Sequence, residues 1–570
     1  MIKLKRIPYG VSNFKSLILD DSLYIDKTHF IELLENKYKF LSFLRPRRFG
    51  KSLFISTLSY YYDEYYKNDF DSIFKDTYIG KNPTKLKSSY RILFLEFSGI
   101  STTSIETIER GFTSKISSLL RGYLKKYKYP AKEINFLAKI NSSEALITEF
   151  FEIVKNDNIY VLVDEYDNFA NSLLSSDIDE FKNILGKGGF VRSFYEIIKT
   201  ATQTGVVDRM FLTGVTQITM DSMTSGFNII QDITKDKEFN ELAGFTLNET
   251  KQVLEYIFSQ CQAVDKEKLV SEMIKLYNGY KFSIDAKEKI FNSTMVMYFV
   301  SKFDTDDCKF PRELLDTNVA SDYRKIMQLF AIGDSEDNYK TLNELITKNE
   351  TIATLKPKIE FDKGFHRDDF VTLLYSMGFI TIKGLLLSKT IFTIPNYTIK
   401  TLYFEYFKVE IEERNKIKFN TIKIENAITE LALNKNLAPF QKEVKSVINL
   451  LSNRDYMKFE EKHLKVILLT ILNMTTFYYI KSEPEYNNNY PDIMLLKQEP
   501  FEVKYQYLFE LKWVKKGKST TFESRWNDKK EEGIKQIKKY QKLKDIKDLN
   551  NLYSYLIISD GDEVEIVGVD

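Results

Sequence analysis

Three groups of residues have the types and spacing to do chemistry. The first is Gly50-Lys51-Ser52, between a run that reads as a buried strand (Phe40 to Leu44) and one that reads as a helix (Leu53 to Tyr65). Such a junction supplies a helix N-terminus, an ammonium and a hydroxyl, which together suit the phosphates and magnesium of a nucleotide. The usual spacing is G-x-x-x-x-G-K-[ST], and Arg45 stands where the first glycine belongs. A side chain there disfavours the positive-φ turn that glycine permits. The second group is Asp164-Glu165, closing the apolar run Ile159 to Val163. A carboxylate at a strand tip can orient a magnesium-bound water, and the next glutamate can polarise the attacking water of NTP hydrolysis. Taken alone the pair is equally a turn or a helix cap; the Gly-Lys-Ser upstream favours the catalytic reading. The third group is Asp492, at the start of one strand-like run, with Glu510 and Lys512 on another. A spacing of two places Glu510 and Lys512 on one strand face. If the strands pair, Asp492 and Glu510 can hold a hard divalent cation while Lys512 orients or activates a water, as phosphodiester hydrolysis requires. Most Glu-x-Lys triplets are solvated surface, so only the order of the surrounding elements lends this one weight.

Those elements are an alternation of short apolar strands and helical stretches. Ile92 to Phe97, Ile159 to Val163 and Arg209 to Gly214 read as buried strands, separated by helices near Ser104 to Lys126 and Glu144 to Lys155. The pattern predicts an α/β fold with a parallel sheet, whose ligands bind at the carboxyl ends of the strands. Gly50, Asp164 and Thr213 would all lie there. Thr213 is placed to sense a γ-phosphate or simply to close its strand before a glycine turn. Leu247 to Gln260 and Lys266 to Tyr277 predict a small helical lid. Phe370 to Met377, followed by strands 379–382 and 390–395 around Gly384, predicts a winged-helix-like module for packing or DNA contact; no basic cluster accompanies it. A polar helical connector follows. The last stretch reads helix (Phe459 to Leu472, carrying Glu461), strand, Pro491-Asp492 strand, Glu510-Leu511-Lys512 strand, helix with Gln536 and Tyr540, then a strand (Ser554 to Ser559). The expected divisions are 1–240, the α/β core with the phosphate loop; 241–305, the lid; 306–405, the winged-helix-like module; 406–455, the connector; and 456–570, an α/β domain carrying Asp492, Glu510 and Lys512.

Composition narrows the setting. At 570 residues the chain is too long for a single core and should divide into domains of roughly 100–200 residues. Lys and Arg total 82 against 80 acids, so a nucleic-acid surface must be local. One such cluster is Lys512, Lys515, Lys516, Lys518, Arg525, Lys529 and Lys530, interleaved with Trp513 and Trp526; it is equally a solvated loop. Two cysteines, Cys261 and Cys308, are too few for a disulfide framework or a zinc site, and three histidines disfavour a His-ligated metal. That favours a reducing compartment. No apolar run follows the N-terminal charges, and Val466 to Ile480 is too short and polar to span a bilayer. The expectation is a soluble cytoplasmic protein, with no membrane partner.

The motifs also occur together in a known pattern. Ile7-Pro8-Tyr9-Gly10, Ile25-Asp26-Lys27-Thr28, Arg45-Pro46-Arg47-Arg48-Phe49-Gly50-Lys51-Ser52, Val163 to Asp167 and Thr213-Gly214-Val215 resemble the AAA-ATPase-like family of P-loop ATPases. Ser225 to Asn228, Gly244-Phe245-Thr246 and Tyr277 to Phe282 extend the resemblance to about residue 285. The R-P-R-R-F-G-K-[ST] loop is that family's own form. Residues 456–570 resemble the PD-(D/E)xK nuclease superfamily, in a branch fused behind such ATPases; the two resemblances imply a P-loop ATPase core over 1–240 and an α/β restriction-endonuclease-like domain over 456–570. The resemblance implies ATP and magnesium bound through Arg48, Phe49, Gly50, Lys51, Ser52, Asp164 and Thr213, with Ser52 and Asp164 at the metal and Glu165 as base. It implies a second magnesium on Asp492, Glu510 and Glu461, with Asp492, Glu510 and Lys512 cleaving DNA or RNA, in defence or mobile-element biology. A homo-oligomeric ring, in which a neighbouring subunit donates an arginine, stays open. So does an alternative, a nucleotide-dependent signalling or scaffold switch whose nuclease-like domain only binds.

Overall fold

The computed structural model describes residues 5–100, 104–168, 189–216, 229–327, 330, 332–359, 364–452, 460–515 and 522–569. The motif at Ser225 to Asn228, the cluster members Lys516 and Lys518, and Phe459 lie outside the described residues. The chain divides into two compact units. One holds Met1–Cys308, Leu315–Tyr339 and Ile352–Tyr397; the other holds Lys309–Leu314, Lys340–Thr351 and Thr398–Asp570.

The first unit is built on a parallel sheet of β1 (Phe40–Leu44), β2 (Arg91–Glu96), β3 (Ile159–Asp164), β4 (Val207–Gly214) and β5 (Gln231–Asp232), in the order β2-β3-β4-β1-β5. Every residue of β3 is buried, which is why its sequence is apolar without alternation: a central parallel strand is covered on both faces. Helix α1 (Lys51–Tyr62) follows β1 and packs on β2, β3 and β4. Helix α2 (Ile105–Lys126) is capped by Ser104, whose hydroxyl accepts from the Thr107 N–H. It packs on α3 (Ser143–Ile153) and β2, while α4 (Phe190–Gln203) packs on β4. Pairing of Phe43 with Thr213 and of Glu96 with Asp164 aligns the carboxyl ends of four strands.

Helices α5 (Leu247–Phe258), α6 (Lys266–Tyr277) and α7 (Ser293–Lys302) follow. A capping box starts α5: Glu249 N–H donates to the Thr246 hydroxyl and Thr246 N–H donates to the Glu249 carboxylate. Cys261, just beyond α5, pairs with Cys308 as a disulfide. The count of two cysteines gave no hint of this, because folding brings together positions 47 apart in sequence. Helix α8 (Arg367–Met377) leads into a hairpin of β6 (Thr381–Leu386) and β7 (Lys389–Thr393). Its turn lies at Leu387 and Ser388, not at Gly384, which sits inside β6 where the register shifts. The hairpin module packs onto Tyr277 to Phe282: Lys281 N–H donates to the Thr381 hydroxyl and the Tyr375 hydroxyl to the Phe282 carbonyl.

In the second unit, helices α9 (Thr421–Asn434) and α10 (Ala438–Ser452) occupy the stretch expected as a connector. They are instead part of the unit's core, because their buried faces meet its sheet: the Tyr507 hydroxyl donates to the Leu431 carbonyl, and Phe440 stacks on Phe509. Helix α11 (Glu461–Leu472) precedes β8 (Tyr478–Ser482), β9 (Ile493–Lys497) and β10 (Gln506–Trp513). Then come α12 (Phe522–Tyr540), α13 (Lys544–Lys547), β11 (Leu552–Ser559) and β12 (Val564–Val569). The sheet order is β12-β11-β10-β9-β8, with only β10 and β11 parallel. All of β10 is buried, including Glu510 and Lys512.

Candidate nucleotide and nuclease sites

The loop between β1 and α1 is held by contacts that its missing glycine does not need to supply. Arg45 points inward rather than toward a phosphate. Its guanidinium donates to the carbonyls of Leu44, Thr234 and Phe239 at 2.8–2.9 Å and lies between the rings of Phe43 and Phe282. Phe49 is buried against Tyr280 and Phe282, and its carbonyl accepts from the Gly244 N–H. Arg48, at φ +69°, turns the chain, and the Thr294 hydroxyl holds its carbonyl at 2.8 Å. Gly50 caps α1 at φ +95°, a conformation that suits glycine.

Lys51 is buried, and its ammonium donates to the carbonyls of Arg45 and Pro46, both at 2.9 Å. Burial pulls its pKa down to about 8, against the charges of Asp164, Asp167 and Glu165. The Ser52 hydroxyl faces Asp164 and favours its charged form, although burial leaves that carboxyl above its ordinary range. Glu165 is raised too, by burial first and by Asp164 second. It sits at φ +53°, and its carboxylate accepts from the Asn168 amide, whose oxygen accepts from Arg47. A cavity of about 500 Å³ opens over this loop, lined among others by Tyr9, Arg48, Lys51, Ser52, Glu165 and Thr294. Asp164 and Thr213 do not line it. Thr213 is fully buried, and its hydroxyl has no hydrogen-bond partner among the described residues. The loop amides, Lys51, Ser52 and Asp164 thus fit a nucleotide with its magnesium: cation and hydroxyl open on the cavity, and the acid stands behind them.

Sequence reasoning missed Asn168, one residue past the motif it read, and Ser293 and Thr294. Thr294 clasps a loop about 250 residues away in sequence, and no local spacing announces such a contact.

In the second unit the antiparallel register of β9 and β10 pairs Ile493 with Phe509, so one step further Asp492 comes opposite Glu510. Asp492 accepts from Leu511 N–H at 2.9 Å. Glu510 is 2 % exposed; one oxygen accepts from the Lys512 ammonium at 2.9 Å, and the other has no donor within hydrogen-bond reach among the described residues. Burial, then Asp492, pushes the Glu510 carboxyl up, while Lys512 opposes them. Burial also pulls Lys512 down, but the charges of Glu510, Glu461 and Asp492 leave it raised. Glu461, in the first turn of α11, faces Lys512, Asp492 and the Trp513 N–H. Tyr540 on α12 faces Glu510 and Asp492, and the buried Gln536 carbonyl oxygen lacks a partner. Lys465, a turn after Glu461, was not foreseen; it bonds Glu483 at 2.5 Å and lies 3.6 Å from Asp492.

A bare, buried carboxylate oxygen beside a second acid is the donor set a hard cation takes. Among the described residues, however, no three acidic, histidine or cysteine side chains converge closely enough to hold a metal. The two-carboxylate pair of Asp492 and Glu510 fits the ion; Glu461 approaches it without completing a cage.

Residues 8–224 match a family model described as a predicted AAA-ATPase, and residues 459–568 match that of the PD-(D/E)XK nuclease superfamily. A protein of Azotobacter chroococcum mcd 1, described as an uncharacterized protein in the vnfD 5' region, is 27% identical over 293 residues, 50% of either chain. The match therefore spans about half the length of that relative. No helix among the described residues is long and apolar enough to cross a membrane. The chain joins a predicted AAA-ATPase domain to a C-terminal domain of the PD-(D/E)XK nuclease superfamily.

Proposed function

We propose that this chain is a nucleotide-controlled nuclease of the cytoplasm. Lys51 and the amides of Arg48, Phe49 and Gly50 bind the phosphates of ATP, Ser52 and Asp164 hold its magnesium, and Thr213 senses the γ-phosphate. Glu165, oriented by Asn168, takes the proton of the attacking water. In the C-terminal domain Asp492 and Glu510, with Glu461 nearby, hold a second magnesium, and Lys512 orients the hydrolytic water at a phosphodiester of DNA or RNA. Magnesium there would polarise the phosphoryl oxygen and make its bound water more acidic.

The observation that carries the reading is Glu510, a carboxylate buried with one oxygen bare beside Lys512 and opposite Asp492. Burying such an oxygen is costly unless a cation or proton meets it. The test is divalent-dependent cleavage of single- and double-stranded DNA and RNA by the intact chain, by Glu510→Ala and by Lys51→Ala. Cleavage lost in both variants is expected. No cleavage of any substrate by the intact chain would sink the nuclease reading.

The lack of a three-ligand metal cluster among the described residues favours a second reading. There the domain binds nucleic acid or protein without cutting, as the output of a nucleotide switch. It predicts binding that depends on ATP but not on Glu510.

A further inference from the structure

We infer that the solvent face of α12 and α13 is a docking surface for the phosphate backbone of duplex DNA, set apart from the candidate cleavage site; the inference rests on the nucleic-acid reading of the same domain. The two faces of α12 differ sharply. Gly533, Ile537 and Tyr540 turn inward against the sheet, where Ile537 and Tyr540 join a core with Leu508 and Leu556. Lys535, Lys538 and Lys539 fall at i, i+3 and i+4, so they share the opposite face, Lys542 follows in the turn after the helix, and all four are exposed. Together with Glu531 and Ile534 they bound a shallow cleft of about 470 Å³, four cations to one acid. Lys544 and Lys547 on α13 continue the row, and Asp545 is the sole acid among residues 533–547.

The lysines of the first half of α12 are paired, Lys529 with Glu532 at 2.7 Å and Lys530 with Glu565 at 2.6 Å. Among the described residues Lys535, Lys538, Lys539 and Lys542 have no carboxylate within ion-pair reach. Like charges at i, i+4 weaken a helix. The attraction of cations to a helix C-terminus is confined to the last turn and so does not account for Lys535. An anion held along the row offsets both.

At 1.5 Å per residue, Lys535 to Lys539 spans about 6 Å along the helix, a reach comparable to consecutive phosphates of one strand. No aromatic side chain lies between these lysines to stack a free base, as single-strand binders require. The two amides beside the row are turned away from it, Gln541 donating to the Val569 carbonyl and Gln536 carrying a buried oxygen, so neither is offered to a ribose hydroxyl as duplex RNA recognition requires. Lysine alone suits the phosphates of a DNA duplex.

The experiment is fluorescence anisotropy of the full-length chain with a labelled DNA duplex, without divalent cations, between about 50 and 200 mM salt. Replacing Lys535, Lys538, Lys539 and Lys542 by alanine should flatten the slope of log affinity against log salt by about 3 to 4, at roughly 0.9 per phosphate contact. The same four positions as arginine should keep the slope. At saturating DNA the alanine variant should cleave at the parent's rate. An unchanged slope overturns the docking surface, and so does an equal loss of binding to single-stranded DNA or to polyglutamate. Lysine-dependent duplex binding by a chain that cuts nothing would uphold the surface and reject the nuclease; cleavage with an unchanged slope would do the reverse.

Discussion

Arg45 is where a residue's apparent meaning and its contacts part most. In sequence it is an obstruction in a phosphate loop; in the fold it fastens the chain around β1 by bonding the carbonyls of Leu44, Thr234 and Phe239. Burial lowers its pKa, and the carbonyls with two aromatic faces offset that cost. Arg45→Met should therefore lower the denaturant midpoint of the first unit by a free energy on the order of 3 kcal/mol, since it strands buried acceptors. Arg45→Lys should recover little, because an ammonium cannot fork to Thr234 and Phe239 together. A midpoint unchanged in Arg45→Met would show the contacts to be idle. Glu165 makes a contrasting case. If it is the base, Glu165→Gln should leave ATP affinity within a few-fold and cut phosphate release by about 10²–10⁴. Equal loss of binding and turnover would mean that the side chain shapes the loop instead.

Among elements, the strands were the most legible. Ile159 to Asp164 and Tyr507 to Trp513 are unbroken runs whose only burial-compatible role is a central strand, and the Glu510–Lys512 spacing then follows from the pleat. Loop and helix roles that depend on distant partners were not legible. Nothing near Cys261 points to Cys308, and nothing in residues 421–452 says that their apolar faces meet β10 and β12 as well as each other. The hairpin is present as expected, but its turn was misplaced for a different reason. Glycine normally marks a turn, but this turn is made by Leu387 at φ +54°, a conformation that costs a side chain roughly 1 kcal/mol. Leu387→Gly should thus stabilise the first unit by about that amount, while Gly384→Ala, with open space around its Cβ, should shift the midpoint by less than about 0.5 kcal/mol. Gly279→Ala should do the opposite: at φ +113° its Cβ would lie 2.0 Å from the Pro395 carbonyl oxygen. A loss of about 3 kcal/mol or more is expected from overpacking against backbone. Thermal melts of the three variants side by side check the set, and a well-folded Gly279→Ala would refute the close approach.

For the whole molecule the question is whether the two units act on one another, and thermodynamics gives that question a sharp form. Control of a nuclease by a nucleotide requires a coupling free energy between two sites, and coupling in binding is reciprocal. If ATP changes the affinity for DNA by some factor, saturating DNA must change the affinity for ATP by the same factor, typically between about 5- and 150-fold. The two halves of the measurement are separable. DNA affinity is titrated with and without a non-hydrolysable ATP analogue, and analogue affinity with and without DNA, all in Glu510→Ala so that the substrate survives. The factors should agree, and Lys51→Ala, which loses the ammonium bonded to the Arg45 and Pro46 carbonyls, should abolish the first of them. Glu165→Gln should preserve both, because it touches turnover and not binding. Affinities that ignore the other ligand in both directions would reduce the chain to two independent enzymes on one polypeptide, and the word control would then have to be dropped.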